Sequence, residues 1–138
     1  MASPHPTDRT MRINLNSIFV DDQARALAFY TGVLGFVKSH DIPAGPYRWL
    51  TVRSPEGGAT ELSLEPDVNP AARTYQQALM SQGIPATAFQ CDDLEADVKR
   101  LREHGVRFTM DPTTHGPVRL AIFADTCGNL IQIYQRVG

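Results

Sequence analysis

The chain states one pattern twice. Gly45-Pro46-Tyr47-Arg48 returns as Gly116-Pro117-Val118-Arg119, and the same displacement carries Asp21-Asp22 onto Asp92-Asp93 and Gly57 onto Gly128. Gly35-Phe36 matches Gly105-Val106 one residue short of that displacement, the single-residue indel expected of two diverged copies. In a chain of 138 residues, a repeat just over half the length leaves room for two units and little else. The fold must therefore be one supersecondary unit used twice.

The unit can be read from its local grammar. Asn14 to Val20 alternates and is rich in strand formers. Asp21-Asp22 offers a carboxylate cap to the free N–H groups of a helix. Leu27, Tyr30, Val33 and Leu34 follow at helical spacing, and Gly35 can supply the left-handed residue that stops the helix. FVKSH, YRWLTVR and TELSLE read as three more strands, with a turn at SPEGG. The second copy runs ATAFQC, a cap at Asp92-Asp93, a helix with Leu94, Val98 and Leu101 on one face, a stop at Gly105, then VRFTM, VRLAIFA, the turn DTCGN and LIQIYQ. Gly-Pro-x-Arg marks the start of the third strand in each half.

The predicted class is α+β. A flexible tail is expected over residues 1–11, a first βαβββ module over 12–66, a linker helix within 67–83 (Pro70 to Gln82, between Asn69 and Gly83) and a second module over 84–138, all in one structural domain. A single module is near the size at which a core is marginal. The two should pair about a pseudo-twofold, curving a mixed sheet around a cleft, within one chain or between two chains.

A net charge of −2 gives no electrostatic argument for a nucleic-acid partner. No apolar run has membrane-spanning length, and MASPHPTDRT lacks the apolar centre of a signal peptide. Cys91 and Cys127 have neither metal-binding nor redox spacing. A cytoplasmic protein with reduced thiols is expected, Cys91 buried and inert beneath a helix start and Cys127 a turn residue.

Strand alternation divides the faces. Ile18, Val20, Leu62 and Leu64 should pack under the helix, while Leu15, Ser17, Phe19, Glu61 and Ser63 point into the cleft. By the repeat, Ala86 and Ala88 match Leu15 and Ser17, and Gln132 and Tyr134 match Glu61 and Ser63. The expected ligand-binding set is Leu15, Ser17, Phe19, Trp49, Ser63, Ala86, Gln132 and Tyr134. Trp49 and Tyr134 would form an aromatic wall, and Tyr47 would belong to an interface. Glu61 is the candidate catalytic residue, as a ligand anchor or general base. Beside Leu15 and Phe19 its pKa should rise unless a cation pairs with it. Its alternatives are an ion pair with Arg48 or Arg119, or solvation. Arg48 and Arg119, present in both halves, are expected to pair with Asp or Glu at a sheet end.

SIFVDDQARALAFYTGVLGF and FADTCGNLIQIYQ resemble the vicinal oxygen chelate superfamily, the glyoxalase/bleomycin-resistance/dioxygenase group, and the resemblance covers roughly residues 12–136. It implies the tandem βαβββ fold and a homodimer. In metal-bearing members it implies four inward ligands on the first and last strands, which fall here on Leu15, Glu61, Ala86 and Gln132. Only Glu61 keeps an expected ligand type. Gln132 offers a neutral oxygen, and Leu15 and Ala86 have no donor atom. A stable site wants three or four strong ligands. No tightly bound cofactor is therefore expected. Glu61 and Gln132 are the remaining metal candidates, and a divalent Ni, Zn, Fe or Mn ion recruiting His40 or His115 is the alternative. The expected function is binding of an organic small molecule in a cleft with a degenerate metal site. The alternatives are a metal-dependent lyase of glyoxalase I type or a dioxygenase, and a metal-free isomerase using Glu61 as base.

Overall fold

The computed structural model describes residues 10–138, so most of the tail expected over residues 1–11 lies outside the described residues. The first half comprises β1 (Leu15–Val20), α1 (Gln23–Leu27), β2 (Val37–Ala44), β3 (Tyr47–Arg53) and β4 (Glu61–Pro66). Helix α2 (Pro70–Gln82) follows. The second half comprises β5 (Thr87–Gln90), α3 (Leu94–Glu103), β6 (Phe108–His115), β7 (Val118–Ala124) and β8 (Leu130–Arg136). The strands form two four-stranded mixed sheets of the same topology, β1-β4-β3-β2 and β5-β8-β7-β6. In each, the first strand runs parallel to the last and the other pairs are antiparallel.

The duplicated caps do the same work in both halves. The Asp22 carboxylate accepts the Arg25 N–H and the Asp93 carboxylate accepts the Ala96 N–H, each satisfying a donor with no partner inside its helix. Asn69 caps α2 in the same way through the Ala71 N–H. Gly45 and Gly116 turn the chain into β3 and β7 with φ of 62° and 58°, a left-handed conformation that glycine adopts at little cost.

Regular helical spacing over Leu27–Leu34 is not what the chain adopts. Helix α1 widens into a π-helical turn, Ala28–Val33, where the Leu34 N–H bonds the carbonyl of Phe29. Phe29 and Tyr30, both within the widened turn, are both buried in the core.

Both halves contribute to one core. Ile18, Val20, Tyr30, Leu50, Val52 and Leu64 join Leu94, Val98, Leu101, Phe123, Ile131 and Ile133 in a single cluster. The Phe36 and Phe89 rings meet edge-on at 5.0 Å, and Phe29 packs against Phe123. Each sheet thus has a buried face and an opposite, more open face.

The open faces are not in identical register. Leu15 lies opposite Glu61 in the first sheet. In the second sheet Ala88, rather than Ala86, lies opposite Gln132. Ala86 precedes β5, with its N–H on the Leu130 carbonyl. The slip is two residues, which keeps every side chain on its face while changing its neighbour.

Candidate functional site

The first sheet's open face is a grid set by strand register. One row runs Ser17, Ser63, Thr51, His40 from β1 to β2. To one side lie Leu15, Glu61 and Arg53; to the other lie Phe19 beside Glu65, and Trp49 beside Ile42. Leu15 and Phe19 are 44% and 38% exposed although both are large, apolar and within β1, and Trp49 is half-buried.

At the centre, Thr51 is fully buried and its hydroxyl donates to Glu61 Oε1 at 2.5 Å. The Nδ1 of His40 lies 2.8 Å from the same carboxylate oxygen and 3.1 Å from Thr51 Oγ1. Hydrogen bonds from Thr51 and His40 hold the Glu61 carboxyl below its usual value of 4.5 and outweigh the opposing effect of burial. The expected rise is therefore overturned. Apolar neighbours were visible in the sequence, but the donors across the sheet were not. Neither arginine pairs with Glu61. Arg48 forms a two-pronged bond to Asp41 at 2.9 and 2.7 Å, while Arg119 Nε reaches Glu95 at 2.5 Å.

His40 belongs to this site because β2 is bulged. Lys38 pairs with Val52 and His40 with Thr51, so the residue between them is extra and the alternation reverses. Unbulged, β2 would set Ser39 on the open face and turn His40 toward the helix side.

Ser63 is buried and donates to Glu65 at 2.7 Å, so its hydroxyl is engaged within its own strand. Gln132 and Tyr134 are half-buried on the second sheet, opposite Ile122 and Leu120. Among the described residues, the Glu61 side chain finds its partners in its own sheet. Two small cavities do join the halves. A crevice of about 180 Å³ is lined by Asn16, Phe36, Arg53, Glu61, Ala88 and Phe89 among others. A second, of about 130 Å³, gathers Ser17, Phe19 and Ala86 beneath Tyr75, Gln76 and Leu79 of α2. Tyr47 is 38% exposed at the start of β3. Both thiols are buried, and desolvation pushes Cys91 and Cys127 up to about 12.

The side chains at the four inward positions do not fit a tightly held cation. Leu15 and Ala86 supply no donor, and the Glu61 oxygen facing the sheet is already bonded to His40 and Thr51. Among the described residues, no group of three or more His, Cys, Asp or Glu side chains gathers at metal-binding distance. Within the same residues, no helix is long and apolar enough to cross a membrane.

Comparison with known proteins bears on this face. The family model of the Glyoxalase/Bleomycin resistance protein/Dioxygenase superfamily matches residues 10–133. The uncharacterized protein YurT of Bacillus subtilis (strain 168) is 52% identical over 127 residues, covering 91% of this chain and 100% of that protein. TnmS3, an antibiotic binding protein from Streptomyces sp. CB03234, is 32% identical with a TM-score of 0.73, over 91% of this chain and 96% of that one. The crystal structure of UcmS2 superposes with a TM-score of 0.79 at 28% identity, over 91% and 98% of the two chains.

Proposed function

Because this chain belongs to the glyoxalase/bleomycin resistance protein/dioxygenase superfamily, we propose that it binds an organic small molecule on the open face of its first sheet. The observation that carries the reading is the grid itself. Exposed Leu15 and Phe19 and half-buried Trp49 surround a polar centre of Glu61, His40 and Thr51. Small-molecule sites combine apolar walls with a few fixed polar groups in this way. The likeness to TnmS3, described as an antibiotic binding protein, supports it. Ala88 and Ala86 meet this face through the two cavities, and Gln132 and Tyr134 would close it from a second sheet.

That second sheet would come from another copy of the chain. Leu15, Phe19, Ile42 and Tyr47 leave apolar surface uncovered along β1, β2 and β3, and a twofold partner would bury it. The unit of function is then a homodimer in the cytoplasm, where the two free thiols stay reduced. Sedimentation or light scattering reads the dimer directly.

The test of binding is a thermal-shift and calorimetric screen of planar organic compounds against the wild type and Trp49→Ala. A ligand specific to the folded state raises Tm, and Trp49→Ala should weaken it about tenfold. Hits unaffected by both Trp49→Ala and Phe19→Ala would remove this face from consideration. An enzymatic reading through a metal has the wrong donor set. A metal-free one is favoured by one observation, the His40–Glu61 contact at 2.8 Å.

A further inference from the structure

Hydrogen-bond accounting around Glu61 fixes the tautomer of His40. The Thr51 hydroxyl has one proton, and it is committed to the carboxylate of Glu61. The same oxygen accepts the backbone N–H of His40 at 3.1 Å. Thr51 Oγ1 therefore has no hydrogen left to give Nδ1, and Glu61, held ionised, is an acceptor only. Both groups within reach of Nδ1 accept, so Nδ1 must carry the hydrogen. In neutral His40 the lone pair is then on Nε2, on a side chain that is 47% exposed. Trp49, paired with Ile42, offers an aromatic surface one pair along the same face, about 7 Å away at the usual strand rise.

We infer that His40 Nε2 is the proton acceptor for an acidic hydroxyl on a planar ligand lying against Trp49, so that the ligand class is hydroxylated aromatic or enolic compounds. The step balances without a co-reactant. The ligand O–H bond breaks, its proton moves to Nε2, and the oxyanion stays beside the imidazolium. The new positive charge is shared with Glu61 through the Nδ1–H bond, which makes Glu61 a positioning residue rather than the base. The other charged groups on this face are Arg53, beside Glu61 on β3, and Glu65 on β4, which accepts the Ser63 hydroxyl; Lys38 and Asp41 sit on the opposite side of β2, paired with each other and with Arg48. The inference rests on the proposed binding face and assigns its substrate class.

The experiment uses two probes of nearly equal shape, para-nitrophenol and para-nitroanisole, at a pH where free nitrophenol is mostly protonated. Quenching of Trp49, the single tryptophan, reads occupancy of the face. The visible band of nitrophenolate reads proton transfer. Nitrophenol should bind about tenfold more tightly than nitroanisole and develop the phenolate band on binding. His40→Gln should abolish the band and bring the ratio of the two affinities to about one. Glu61→Gln should diminish the band at saturating nitrophenol. A structural role for Glu61 alone would not produce that signature. If nitroanisole binds but nitrophenol shows no advantage and no band, the inference fails while the binding face stands. If neither probe quenches Trp49, the aromatic reading of the face falls and takes the inference with it.

Discussion

The hydroxyl of Tyr30, in the first half of the chain, donates to the carboxylate of Asp125, in the second, at 2.7 Å, and both side chains are fully buried. Asp125 also accepts the backbone N–H groups of Cys127 and Asn129 and the Asn129 side chain, so one carboxylate ties the β7–β8 turn to the helix of the other module.

Tyr30→Phe should remove about 1–3 kcal/mol of stability, because a buried carboxylate oxygen loses a charge-assisted donor. The sign of the pH effect is also fixed. Burial, then the neighbouring Asp125 charge, raise the Tyr30 pKa well above 10.0 in the folded state. The contribution is complete below 10.0 and is lost as pH rises from there toward the folded value. Urea titrations across the alkaline range should show stability falling in the wild type and a shallower fall in the variant.

Gly128→Ala tests the junction from the other side. A Cβ there would lie 2.7 Å from Gln76 Nε2, at a φ of 100° that side chains rarely adopt. Gln76 cannot simply move, since its amide donates to the carbonyls of Phe19 and Cys127. A loss of about 2–4 kcal/mol is expected, measured by denaturant unfolding. Near-normal stability would mean that α2 is not pinned at this point.

Cys91 and Cys127 should be silent toward a thiol reagent in the native protein, and both should react on unfolding. Desolvation raises both thiols from 9.0 to about 12, so the neutral form is the folded form at ordinary pH. Their joint contribution is present below 9.0 and disappears as pH climbs toward 12. Fast labelling of either thiol under native conditions would contradict its burial.

Glu61 acts at the acid end. Its pKa is depressed by Thr51 and His40, so its contribution is present above 4.5 and is lost as pH falls through the lower folded value. Glu61→Gln should flatten, without abolishing, the acid limb of the stability curve, because Asp41, lowered by Arg48, remains. Equal acid limbs in variant and wild type would show the Thr51 and His40 bonds to be energetically empty.

The fold was readable because its signals are local. Caps at Asp22 and Asp93, glycines at Gly45 and Gly116, and strand alternation at Ile18 and Val20 each depend on a few consecutive residues, and the repeat doubled every one of them. Arg48 and Arg119 are expected to pair with an unnamed Asp or Glu; the partners are Asp41, seven residues away, and Glu95 on α3, 24 residues away. The polar centre was hidden for the opposite reason. His40 reaches Glu61 only through an extra residue in β2, and counting odd and even positions cannot see where a strand gains one. With His40 weighed only as an alternative metal ligand, the ionisation of Glu61 is misjudged, since its partners come from other strands of the sheet. The two-residue slip between Ala86 and Ala88 was hidden likewise, because both keep the same face.

The bulge between Lys38 and His40 has an evolutionary corollary. Gene duplication supplies two interchangeable surfaces, and interchangeable surfaces can only do the same job. The surplus residue itself is shared, since Phe108 and Met110 flank one in β6 as Lys38 and His40 do in β2. What breaks the equivalence is the side chain each bulge presents, an imidazole from His40 in one copy and a thioether from Met110 in its twin.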